Sequence, residues 1–201
     1  MPRDAAATRA RLITAARAEF AERGIDGARV DRIARQAGVS KERIYGHFGS
    51  KEELFETVVR EALREHTAAL DLPSGDIGEY VGRVYDLHRA NPELLRLLLW
   101  EALHYGDAPL PDEREREEHY ARKTDALART LGIPPDGSAA FALVVTIALA
   151  AWPVATPQLT RAITGGSDDE ALRGFLVRFA RQALAPHAPV PGTGDPRKSG
   201  A

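Results

Sequence analysis

Six side chains able to donate hydrogen bonds to an anion crowd one short stretch: Ser40, Lys41, Arg43, Tyr45, His47 and Lys51. None stands beside a partner that would make it a nucleophile. Phosphate oxygens are the target these groups share, because a hydroxyl or an imidazole serves a phosphate as an ammonium does. Lys51 falls in the first turn of an expected helix, where a cation opposes the helix dipole. A phosphate at that N-terminus removes the conflict, since the free N–H groups and the ammonium would both face it. The charge distribution agrees. Residues 1–51 hold 11 Lys/Arg and 6 Asp/Glu, a balance of +5 within a chain of net charge −2. A basic end on an acidic body suits a polyanionic partner.

Such a surface needs short helices beneath it. Val30–Ala37 reads as one, with Val30, Ile33 and Ala37 on a common face. Gly38 marks a turn, Ser40 can cap a second helix over Lys41–Phe48, and Ile44 and Phe48 point inward. Gly49 ends that helix. Ser50 with Glu53 forms a capping-box pattern for another, reaching about His66. Ahead of them Thr8–Arg23 places Leu12, Ala16 and Phe20 at helical spacing, with Gly24 as the stop. Two short helices around a tight turn are the helix-turn-helix layout, in which the second enters the major groove.

The remainder also reads as helical. Leu72-Pro73-Ser74-Gly75 breaks the chain, and helices are expected from Asp76 to Ala90, from Asn91-Pro92 to Tyr105, over Asp112–Leu131, over Ser138–Trp152, and from a Ser167 cap to about Ala185. The leucine-rich helix after Pro92 is expected to be buried on most sides, and the charged run Asp112–His119 to be a solvated face. Ala139–Ala155 is apolar except for Thr146, but its length is at the lower limit for a membrane span, so a buried helix is expected. The expected organisation is a DNA-binding head at 1–50, a connecting helix at 51–72, a helical body at 73–186, and a structureless Pro/Gly-rich tail at 187–201. With no cysteine, thiolate chemistry is excluded. Arg3, Arg9, Arg11 and Arg17 interrupt any apolar leader, so a cytoplasmic protein is expected.

Several motifs together resemble those of TetR-family regulators: Ile33-Ala34, Ala37-Gly38-Val39-Ser40, Ile44-Tyr45, His47-Phe48, Ser50-Lys51-Glu52-Glu53-Leu54-Phe55, and the leading Phe20-Ala21-Glu22-Arg23-Gly24. The resemblance covers roughly residues 8–60. It implies an all-α homodimer: a three-helix helix-turn-helix head followed by a helical ligand-binding and dimerisation domain. It implies repression from a palindromic double-stranded DNA operator, relieved by a small-molecule effector. By matching position, Ser40, Lys41, Tyr45, His47 and Lys51 would contact phosphates. Two residues depart from the pattern. Arg29 stands where a threonine cap is usual and can reach a phosphate instead. Glu42 replaces a small residue and would either repel phosphate or accept a hydrogen bond from a cytosine amino group. Arg43 can serve a base or a phosphate.

In the body the family plan implies a dimer interface from the last two long helices, with Phe141, Val145 and Leu149 on one and Leu172, Phe175, Leu176 and Phe179 on the other. Two such apolar faces have little use in one small domain unless a partner covers them. Effector contacts are sought among polar-tipped side chains on the apolar helices: Tyr85, His88, Trp100, His104, Tyr105, Tyr120 and Trp152, with a pocket expected around Trp100 and Tyr105. Neither a metal site, a cofactor nor a membrane is expected. No nucleophile elbow, phosphate loop or zinc helix is present, so an enzyme is not expected either.

Overall fold

The computed structural model describes residues 2–70, 72–166 and 168–184. Ten helices appear there and no strand: α1 Pro2–Gly27, α2 Val30–Ala37, α3 Lys41–Phe48, α4 Lys51–Ala68, α5 Ile77–Ala90, α6 Pro92–Tyr105, α7 Glu113–Leu131, α8 Gly137–Ala155, α9 Pro157–Thr164 and α10 Asp169–Ala183. The tail expected to be structureless lies outside the described residues, as does Ser167. Asp168 caps α10 instead, its carboxylate accepting the Glu170 N–H at 3.2 Å.

Helices α1 to α4 form the head. Their inward faces meet in one cluster around Leu12, Phe20, Ile33, Ile44, Phe55 and Val58, where the Phe20 and Phe55 rings meet edge-on at 5.2 Å. Gly38 ends α2 in the left-handed region, at φ 68°, and its N–H closes back on the carbonyls of Ala34 and Arg35. A side chain at that backbone angle would be strained, which is why the turn uses glycine. Ser40 and Ser50 cap α3 and α4 by accepting from Arg43 N and Glu53 N at 3.3 and 3.0 Å. The reciprocal half of the expected capping box is replaced, since the Ser50 N–H donates to the Phe48 carbonyl.

The body surrounds a second cluster made of Tyr80, Val81, Val84, Tyr85, Leu127, Leu143, Ala150 and Leu176. Here α5 is the central helix, packed by α8 and α10. Gly78 lets α10 approach closely: a Cβ there would sit 2.5 Å from the Val177 carbonyl oxygen. The two clusters do not divide at residue 72, because Leu94 and Leu97 of α6 are buried in the head cluster. The Tyr105 hydroxyl donates to Glu56 of α4 at 2.8 Å. Trp100 lies over Gly24, where α1 breaks at φ 66°, and a Cβ on Gly24 would meet its ring at 2.7 Å. Helix α6 is therefore the main bridge between head and body.

Four expectations are corrected. Helix α6 is not buried on most sides, for Leu99 and Leu103 are 42% and 76% exposed. Helix α8 buries only Ala139, Leu143, Thr146 and Ala150, leaving its other faces open. It is long and apolar enough to cross a membrane by length and composition, with a mean hydropathy of 2.0. The run 112–119 is not wholly solvated. Arg116 turns inward, donating to both carboxylate oxygens of buried Glu101 at 2.7 Å and pairing with Asp112 at 2.8 Å. Finally, no helix was expected between Trp152 and Ser167, yet α9 forms there. Helix α8 runs through Pro153 to Ala155, and Pro157 occupies the first turn of α9, where a missing N–H costs nothing.

Candidate nucleic-acid interface and body cavity

The exposed face of α3 and the N-terminus of α4 lie side by side. Between them runs an open groove of about 490 Å³ whose lining includes Arg29, Lys41, Tyr45, Ser50 and Lys51. It thus gathers four of the eight expected DNA contacts, Arg29, Lys41, Tyr45 and Lys51. The other four, Ser40, Glu42, Arg43 and His47, are exposed outside it. Tyr45 is 40% exposed although Ile44 and Phe48 on the same helix are buried, so its ring and hydroxyl face outward. Lys41 pairs with Asp31 at 3.2 Å across the two helices. Both side chains are solvated, so a phosphate competes with Asp31 at little cost. Gly46 lies on α3 with nothing near the place a Cβ would occupy, which keeps that part of the surface low.

Arg29 provides no side-chain cap for α2. A residue not singled out from the sequence takes over. Glu19 of α1, 6% exposed, accepts from the Arg29 N–H at 2.9 Å and from Arg32 Nε at 2.7 Å. Burial pushes the Glu19 carboxyl up, but the hydrogen bonds from Arg32 and the Arg29 backbone outweigh it and hold it below the usual carboxylate range. The Arg29 guanidinium is thereby left in solvent beside the groove. An acidic residue inside an amphipathic helix carries no signal of such a role until the neighbouring helix is known.

The body holds a different kind of site. A cavity of about 70 Å³ lies among α4, α5, α6, α7 and α8. Leu63, Leu94, Leu95, Leu98, Val84 and Ile147 make its lining apolar, and His66, Tyr80, His88, Tyr120 and Lys123 give it polar edges. The His66 and His88 rings stack at 4.6 Å, and the Nδ1 atom of each is buried without a hydrogen-bond partner. Burial, with Lys123 adding to it, drives both imidazoles down to about 4, so they are neutral near pH 7. Lys123 is only 5% exposed and makes neither a hydrogen bond nor an ion pair among the described residues. Burial lowers its pKa as well.

Of the seven expected effector residues, only His88 and Tyr120 line this cavity. Tyr85 is buried but borders a separate groove with α8, α9 and α10, under the Arg89 guanidinium. Trp100 and Tyr105 are engaged at the head–body bridge, so the pocket expected around them is not there. His104 is exposed against the edge of Tyr105, and Trp152 is 56% exposed on α8. Sequence reasoning missed His66, Tyr80 and Lys123. Lys123 looked like one more charge on a charged helix, and only the arrangement of five helices separates it from its neighbours.

Of the seven expected interface residues, Phe141, Val145, Phe175 and Phe179 are 41–74% exposed, and Leu149 and Leu172 are half-buried. Leu176 is a correction: it is 4% exposed inside the body's own core, one helical step away from the outer face. Val144 and Trp152 extend the exposed apolar surface.

Comparison with known proteins matches two family models along the chain. The family model described as bacterial regulatory proteins, tetR family, matches residues 12–58. One described as tetracyclin repressor-like, C-terminal domain, matches residues 76–182. The HTH-type transcriptional repressor SCO4008 of Streptomyces coelicolor is 43% identical over 187 residues, covering 90% of this chain and 97% of that protein. The HTH-type transcriptional repressor NicS of Pseudomonas putida is 33% identical over 106 residues, covering 49% of this chain and 50% of NicS. Among solved structures, SCO4942 of Streptomyces coelicolor superposes with a TM-score of 0.75 at 34% identity, covering 88% of this chain and 97% of that one.

Proposed function

Because this chain belongs to the tetR family of bacterial regulatory proteins and is a DNA-binding transcriptional regulator, we propose that it is a cytoplasmic repressor that holds a palindromic operator as a homodimer and lets go when a small molecule enters its body. The observation that carries this reading is the groove at α3 and α4. Three cationic side chains and the Tyr45 hydroxyl surround a helix N-terminus there, in the N-terminal segment whose balance is +5. Backbone N–H groups at the start of α4, together with Lys51, suit a phosphate. Helix α3 would enter the major groove, with Arg43 and Glu42 at base edges and Ser40, Lys41, Tyr45, His47 and Lys51 on the backbone.

The exposed apolar face of α8 and α10 suits a second copy of the chain. A twofold dimer through this face would present two α3 helices to successive major grooves. Release follows if the effector prefers a body geometry whose heads are spaced wrongly for the operator; equal affinity for both geometries would shift nothing. Selection of preferred duplexes from a random pool tests the reading. An inverted repeat should emerge, and its binding should weaken steeply with salt. A pool that yields no enriched duplex, or one without twofold symmetry, refutes it.

A further inference from the structure

We infer that the effector is an anion: a small molecule with an apolar body and a carboxylate, which the cavity binds with its carboxylate between Lys123, His66 and His88. This rests on the ligand-responsive reading above and specifies its chemistry. The cavity presents donors and no acceptor of full charge. Lys123 is 5% exposed and no carboxylate pairs with it among the described residues; Glu101, Asp112 and Glu115 pair with Arg116 and Arg64 instead. The Lys123 side chain is largely desolvated without a counterion, and leaving the buried His66 and His88 Nδ1 atoms unpaired adds to the cost. An entering carboxylate supplies the counterion for Lys123 and an acceptor for the imidazole N–H groups. A cation there would face Lys123 and find no compensating charge.

The approach to the cavity has the same sign. An open groove of about 240 Å³ between α4 and α7 shares Leu63 and Thr67 with the cavity wall. Arg60 and Arg122 line it without an acidic partner among the described residues. Size points to the coupling. A volume of 70 Å³ falls well short of the roughly 300–1,000 Å³ usual for small-molecule pockets. The apolar body of the ligand must therefore part the leucines of α4 and α6, Leu63 and Leu94 among them. Both helices continue into the head cluster, so widening the cavity moves the head.

Calorimetric titration of the full chain tests this, using benzoate, 2-naphthoate and octanoate, each beside its uncharged amide, with benzylammonium as the cationic control. At least one acid should bind about tenfold or more tightly than its amide, the effect of a charge-assisted hydrogen bond. The same acid should release the protein from its selected duplex. In Lys123→Met the acid should fall to the level of the amide. The proposal is overturned if no acid binds, if amide or ammonium matches the acid, or if Lys123→Met keeps the preference. Should the variant fail to fold, the acid–amide comparison on the unaltered chain still decides. Failure of the acids with duplex binding intact refutes only the anion; absence of any duplex binding refutes the regulator reading itself.

Discussion

Around Phe20 and Phe55 the head puts its large apolar side chains inside, and among its described residues Tyr45 is the exception at 40% exposure. The body, with more helices to draw on, leaves Phe141, Val144, Trp152, Phe175 and Phe179 outside. Where it meets α4 of the head, conversely, it holds a cavity edged by two stacked imidazoles with unpaired Nδ1 atoms and by the Lys123 side chain. The difference follows from what each part meets. A surface that docks on a hydrated polyanion can be polar and complete within one chain. A surface that docks on its own copy stays apolar until the copy arrives, and a core that admits a ligand must leave room and unmatched groups for it.

The sharpest way to break this contrast is at the outer face. Phe175 and Phe179 stack at 5.9 Å in the open, so replacing both with Asp leaves each chain's core intact. Monomers are expected by light scattering, with operator affinity down by about a hundredfold or more once the two heads are no longer linked. A persistent dimer would show that this face is not where the copies join.

Acid should separate the two cores next. His66 and His88 stay neutral in the fold down to about 4, whereas the unfolded chain takes up protons from about 6.5. The more protonated state is the unfolded one, so stability is complete above 6.5 and is lost as pH falls toward 4. For His88 the loss is up to about 3 kcal/mol. Urea midpoints should fall across that window, and His88→Leu should flatten the fall. The Glu19 carboxyl, held low in the head, keeps its contribution through that window and loses it only in more acidic solution. A midpoint unchanged between pH 7 and 4.5 would contradict the burial of the ring pair.

Within the head, Glu19→Gln removes the charge that holds Arg32 and the start of α2, at a cost of about 2 kcal/mol in unfolding free energy. It should leave the oligomeric state untouched. Smallest and most local are the contacts themselves. Tyr45→Ala and Lys51→Ala should each weaken binding to all duplexes alike by about 1–3 kcal/mol, and the lysine change should lower the salt slope by about one. Unaltered affinity in gel-shift titrations would remove these residues from the interface.

The head was legible because its signals are local. Gly38, Ser40, Gly49 and Ser50 punctuate two eight-residue helices, and Ile33, Ile44 and Phe48 show which side faces in. The groove followed from those helices almost without further information. In the body the same rules found most helices but not the site. His66 falls near the end of its helix and Lys123 within a charged one, but neither is marked for a site, while Trp100 reads as a ligand contact. The reason is the same for all three: what a side chain meets in the body depends on residues far away in sequence. Leu176 and Phe175, adjacent in the chain, differ only in which way α10 is rotated, and helical periodicity alone leaves that angle uncertain by about one residue. The helix expected to stop at Trp152 runs on through Pro153, which lies near the C-terminal end of α8.

The wedge of Trp100 over Gly24 has an experimental consequence. The chain contains two tryptophans, and they stand at the two boundaries on which regulation would act: Trp100 where the body meets the head, and Trp152 on the uncovered side of α8. Their emission therefore forms a pair of native optical reporters. Replacing either one with Phe isolates the other, so that head displacement and subunit association can be timed separately without any attached dye.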